Sequence, residues 1–156
     1  MNDGHPLSRV SGLPFGVGLD PSRRHLAVAV GDLLVVSVLI FYGVVHHYVA
    51  EPGASGILGA LPPAGHVAAV VGPFLVGWVV AAVLAGAYTR AALASPLAAV
   101  VNGVGTWVLA ALLGSALRAT PLFPGGAPPI FILAVLGTGT VGFVLWRGVV
   151  GYLIDR

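Results

Sequence analysis

Two sets of polar side chains interrupt the long apolar stretches of this sequence, and they are where it could do chemistry. The first is Asp32, Asn102 and Arg147, a carboxylate, an amide and a guanidinium, each alone inside a hydrophobic run. A carboxylate and a guanidinium taken out of water attract one another but need further hydrogen bonds to offset their desolvation. Asn102 is placed to supply one if the three bond to one another; the other reading is that Asp32 caps the start of its span and Arg147 snorkels to the headgroups. The second set is His46, His47, His66 and Arg118, at the ends of such runs. Histidine titrates near neutral pH and is a common metal ligand. The order His46, His47, Glu51, His66 lacks the i, i+4 pair that aims two imidazoles from one helix face, so no metal site is expected. Adjacent residues point about 100° apart on a helix, so only one of His46 and His47 is expected to face the bundle. Anchoring of helix ends, or a site for a solute or a proton, are the readings that remain.

Other reaction chemistry is missing at the level of motif. The run GTGTVG at 137–142 has neither the spacing nor the strand–turn–helix setting of a nucleotide loop, and it reads as close helix contact. There is no HExxH, Walker or GxSxG sequence, and no paired carboxylates, so the reading leans away from an enzyme. The lack of cysteine excludes disulfides, thiolate metal sites and thioether haem. No cofactor is expected. The basic residues are too scattered to form a footprint for nucleic acid.

The elements that must position these residues follow from composition. Hydrophobic residues make up 58% of the chain and charged ones only 8%, with a mean hydropathy of +1.01. A soluble domain carries about a quarter charged residues, so this chain cannot cover a water-facing surface. The prediction is an all-α bundle of four transmembrane helices joined by short loops. Spans are expected at about 26–49, 66–88, 96–117 and 129–153, each able to cross about 30 Å of hydrocarbon at about 1.5 Å per residue. Residues 1–25, rich in Gly, Pro and Ser, read as a flexible tail. The apolar run after them exceeds the about 7–15 residues of a cleaved signal core. Breaker-rich loops are read at 50–65 and 118–128, with an interfacial turn at 56–61, and Pro73 predicts a kink in the second span. Small residues four apart, Gly77-Ala81-Ala85, Ala99-Gly103, Thr106-Ala110-Gly114 and Thr138-Gly142, mark where helices approach or where copies meet.

Arg9, Arg23, Arg24, Arg90 and Arg156 fall on one side of this arrangement, against Arg118 and Glu51 on the other. The positive-inside rule then predicts that both termini are cytoplasmic. On that map Asp32 lies about 9 Å along the first span, and Asn102 and Arg147 lie at a similar height, forming an inner polar layer. His47, His66 and Arg118 form an outer one. Asp32 and His46 are roughly 21 Å apart along one helix, so the two sets cannot touch. Hydroxyls between the layers, such as Ser37, Thr106 and Thr138, are expected to bond their own helix backbone.

Four stretches together carry a family resemblance: GDLLVVSVLIFYGVVHH, VVGPFLVGW, the GSALR that ends the third span, and PPIFILAV with LWRG in the fourth. On these the chain resembles DUF3054, a family of small prokaryotic membrane proteins of unknown function, over residues 28–150. The resemblance implies four helices and an Asp opening the first span, matched by Asp32. It also implies a Gly-Arg-x-x-His run at that span's far end, where this chain keeps Gly43 and His47 but has Val44 in place of the arginine. Pro73, Phe74, Gly77, Trp78, Arg118, Trp146 and Arg147 match family positions as well. It implies a multi-pass protein of the prokaryotic plasma membrane, and it supplies no reaction.

The expected partners are the lipid bilayer and either a second copy or another membrane protein. The favoured reading is a small structural or accessory membrane protein. The alternatives are a transporter or channel subunit for a small solute or ion, and a lipid-interacting factor or enzyme. A wet cavity joining the two layers would favour transport. A dry bundle would favour the accessory role, and a lateral groove lined by Arg118, His66 and His47 would strengthen the lipid reading.

Overall fold

The computed structural model describes residues 23–49, 62–123 and 126–154. Most of the expected tail, Glu51, Arg156 and the turn at 56–61 lie outside them. Among the described residues four α-helices follow in order, α1 (Arg23–Val49), α2 (Ala64–Leu84), α3 (Pro96–Arg118) and α4 (Pro129–Ile154), with the short 3-10 helix η1 (Ala91–Leu93) between α2 and α3. The shortest of the four has 21 residues, about 31 Å at 1.5 Å per residue. All four are long and apolar enough to cross a bilayer.

Each helix packs on its predecessor and α1 closes on α4. α3 has the most extensive contacts, with α2 and α4, and α1 leans on its neighbours more lightly. Large apolar side chains such as Leu34, Val38, Val79, Val83, Leu112, Val141 and Leu145 cover the outside. A bundle apolar on both its inner and outer faces suits a lipid surround.

Burial follows i, i+4 rows. On α1 the buried row is Val28, Asp32, Val36, Ile40 and Val44, and on α4 Val135, Gly139, Phe143 and Arg147. On α2 and α3 the small residues Gly77, Ala81, Ala99, Gly103, Thr106, Ala110 and Gly114 are buried as their spacing predicts, but Ala85, the third of the α2 stripe, is exposed just past the helix end. α4 differs from expectation. Of its expected pair Gly142 lies at a contact, against Leu39, but Thr138 faces outward and donates to its own helix at Ala134 O, 2.8 Å, and Gly139 and Gly151 approach Trp107 and Pro96. Ser37 and Thr106 likewise donate to Leu33 O and Asn102 O.

The helix ends have local causes. α3 starts with Ser95 accepting from Ala98 N at 3.2 Å and Pro96 in the first helical position, where a missing N–H costs nothing. α2 stops at Leu84, four residues short of the expected end. Gly86, at φ 61°, takes the left-handed conformation that glycine adopts without strain. Ala87 N then donates to Ala82 O at 2.9 Å and Gly86 N to Val83 O at 3.3 Å, a Schellman closure that satisfies the last carbonyls. The helix runs through Pro73, which is buried.

Candidate functional site

At the end of the bundle where α1 begins and α4 finishes, Asp32 and Arg147 are both fully buried and face one another. Arg147 Nε donates to Asp32 Oδ1 at 3.0 Å and Nη2 to Oδ2 at 2.7 Å. This is the two-pronged geometry in which a guanidinium fork matches a carboxylate. Trp146 Nε1 donates to Oδ1 at 2.8 Å, and the Tyr88 hydroxyl donates to Oδ2 at 2.9 Å. The carboxylate therefore accepts four hydrogen bonds, two on each oxygen, which uses its full acceptor capacity. Trp78 Nε1 donates to the Tyr88 oxygen at 3.0 Å, and the Arg147 guanidinium lies 5.7 Å from the Tyr88 ring centre. Residues from α1, the α2–η1 turn, α2 and α4 thus meet in one network.

Local structure puts these groups in reach. The left-handed Gly86 reverses the chain after α2 and returns Tyr88 over the bundle end. Arg147 Nη1 reaches Ala87 O at 3.5 Å in the same turn. A Cβ at Gly31 would fall within the Trp146 indole, and one at Gly103 would meet the Arg147 stem, so both glycines make room for a donor to Asp32. Tyr88 lies beyond the end of α2. Burial and then the Asp32 carboxylate push its phenol above the ordinary range, which keeps it protonated and donating.

Asn102 has a different place from the one expected. Its Nδ2 donates to Ala85 O, 3.1 Å away at the C-terminal end of α2, while its Oδ1 has no partner among the described residues. A carbonyl in the last turn of a helix lacks an intrahelical donor, and Asn102 satisfies it instead of the ion pair. Tyr88 and Trp146 supply the bonds that Asn102 was expected to give. The signal for them was present: both are amphipathic aromatics near a span end, and a buried Tyr or Trp generally finds a polar partner.

Aromatic rings close the centre beyond this network. Trp78 and Phe143 stack with centres 4.6 Å apart and planes 18° apart, and Trp107 lies on Phe143 at 5.4 Å and 19°. These rings, with Phe74 and Val36, are buried.

The opposite end holds a lateral groove of about 510 Å³. Arg118 lines it with His66, His46, His47, Tyr42 and Tyr48, and Ile40, Val135 and Thr138 continue it along α1 and α4. Both histidines of the adjacent pair border it, rather than one, because its mouth spans the last turn of α1. Their rings meet edge-on at 5.8 Å. Arg118 is 9% exposed. Its Nε donates to Gly126 O at 2.9 Å, its guanidinium lies 5.0 Å from the Phe131 ring centre, and its Nη1 has no partner among the described residues. The structure thus joins Asp32 to Arg147 and gathers His47, His66 and Arg118 around one groove, while Asn102 stands apart. Among the described residues no three metal-binding side chains cluster.

Neither the curated proteins nor the solved structures include a match to this chain. A family model does match, over residues 29–150, which takes in both ends of the bundle. The match contains Asp32, Tyr88, Trp146 and Arg147 as well as the groove around Arg118, so the chain belongs to DUF3054, a family described as proteins of unknown function.

Proposed function

We propose that this DUF3054 protein is a four-span accessory protein of the prokaryotic plasma membrane. It acts through its lateral surface and passes no solute along its centre. The observation that carries the reading is the Trp78–Phe143–Trp107 stack, which fills the space between the two polar ends with close ring contacts. The reading is also non-catalytic. The Asp32 carboxylate has every acceptor position occupied, so it is engaged in holding helices together rather than free to take a proton from a substrate.

Reconstituted in lipid vesicles, the protein is expected to give no saturable flux of protons, alkali cations or small neutral solutes above protein-free vesicles. A saturable flux that Asp32→Asn removes would overturn the reading. The orientation in this proposal has both termini in the cytoplasm, from the arginine distribution. The chain has no cysteine, so single cysteines report topology without background. Leu122→Cys should react with a membrane-impermeant maleimide on intact cells and Ala91→Cys only after lysis. The reverse pattern would invert the orientation.

A further inference from the structure

We infer that the groove at the His47 end is a binding site for one anionic phospholipid, with its phosphate on Arg118 and an acyl chain along α1 and α4. The inference rests on the lateral-surface reading above and names the ligand of that surface. Arg118 is a buried cation whose Nη1 lacks a partner, and among the described residues no carboxylate faces it. A buried guanidinium donor left without an acceptor is costly, and a guanidinium fork suits a phosphate.

The groove also has the length of an amphiphile rather than the shape of a pocket for a soluble anion. From Arg118 and His66 at its mouth it runs past Ile40 and Val135 to Thr138. Phe131 to Thr138 alone is roughly 10 Å along α4. Its length is lined by residues of α1 and α4, two helices apolar and long enough to cross a bilayer. A chain entering it leaves one apolar medium for another, so the tail contributes little preference. Selectivity must come from the headgroup. A zwitterionic headgroup would bring its own cation beside Arg118, whereas a phosphatidylglycerol brings only the anion.

The test is native mass spectrometry of the full chain released from nanodiscs that hold phosphatidylglycerol and phosphatidylcholine with matched chains. The expected result is one retained phosphatidylglycerol per chain, favoured about tenfold, the ratio that about 1.4 kcal/mol supports. Arg118→Gln should bring the preference to about parity. Ala134→Trp, which fills the groove from an outward-facing position and keeps the cation, should remove the retained lipid. It decides the matter if Arg118→Gln does not fold. Equal retention of both lipids by the wild type would overturn the inference, as would undiminished retention in Ala134→Trp. Displacement of the lipid by an equal concentration of inorganic phosphate would assign the site to a soluble anion and overturn it too. The vesicle flux assay reads the broader proposal separately, since transport with no lipid preference and lipid binding with no transport are different outcomes.

Discussion

Arg147→Met lowers the unfolding free energy by about 3–5 kcal/mol, the cost typical of stripping one partner from a buried ion pair. The Asp32 carboxylate would keep its bonds from Tyr88 and Trp146 but lose the cation that offsets its charge. Asp32→Asn should fall in the same range, because it leaves the Arg147 guanidinium buried and uncompensated. The informative variant is the double one. Asp32→Leu with Arg147→Met removes both charges, and apolar replacement of a whole buried pair is often close to neutral. Recovery should be incomplete, since the Tyr88 hydroxyl and the Trp146 indole then lack an acceptor. The double variant is therefore expected to be more stable than either single one. Unfolding in mixed micelles by titration with a denaturing detergent provides the measurement. Two single variants within about 0.5 kcal/mol of wild type would mean that the pair is not a stabilising element.

The second large effect is expected at Gly77. A Cβ there would stand 2.6 Å from Ala110 O and 2.9 Å from Gly114 N, both in the α3 backbone. A helix backbone cannot rotate out of the way as a side chain can, so Gly77→Ala must push α2 from α3. Trp78, next in sequence, would be drawn from its stack on Phe143. Overpacking of this kind costs about 1–3 kcal/mol. Gly105 provides the contrast. It is exposed on α3 with nothing within 4 Å of an added Cβ, so Gly105→Ala should gain up to about 1 kcal/mol of helix propensity. Opposite signs for the two substitutions, read from the same unfolding titration, are the expected outcome. A loss of equal size at both positions would show that helix approach at Gly77 is not what matters.

Helix number and height were legible in the sequence, and rotation was not. A fixed rise per residue puts Asp32 and Arg147 at one depth once the spans are drawn, and the structure joins them. Asn102 has the same depth but a different facing, toward Ala85 O. Facing is normally read from an amphipathic pattern. Apart from Asp32 and Ser37 the middle of α1 is aliphatic on every face: exposed Leu34 and Val38 are of the same type as buried Val36 and Ile40, so Asp32 alone marks the inward row. Tyr88 and Trp146 carried a signal that reads two ways, since an aromatic near a span end is an interfacial anchor as readily as a donor to a buried acid. The early end of α2 was open to view in Gly86, which follows an apolar run as a helix-closing glycine does. The residues that meet at the groove, His47, His66 and Arg118, could be grouped by height, but whether they enclose a space depends on helix packing, which residue type does not give.

The ion pair connects the first helix to the last, and that sets an order of events during synthesis. Asp32 and Arg147 are 115 residues apart, which at about 5–20 residues per second is a delay of roughly 6–23 s between translating one and the other. For that interval the first helix holds an acid for which the chain has not yet made the cation. A buried charge without its partner is costly, so the carboxylate gains its two-pronged contact only when the fourth helix arrives. Chains that stop short of Arg147 never reach that step. They carry an unmatched acid that distinguishes them from finished ones, a difference that membrane quality control could act on.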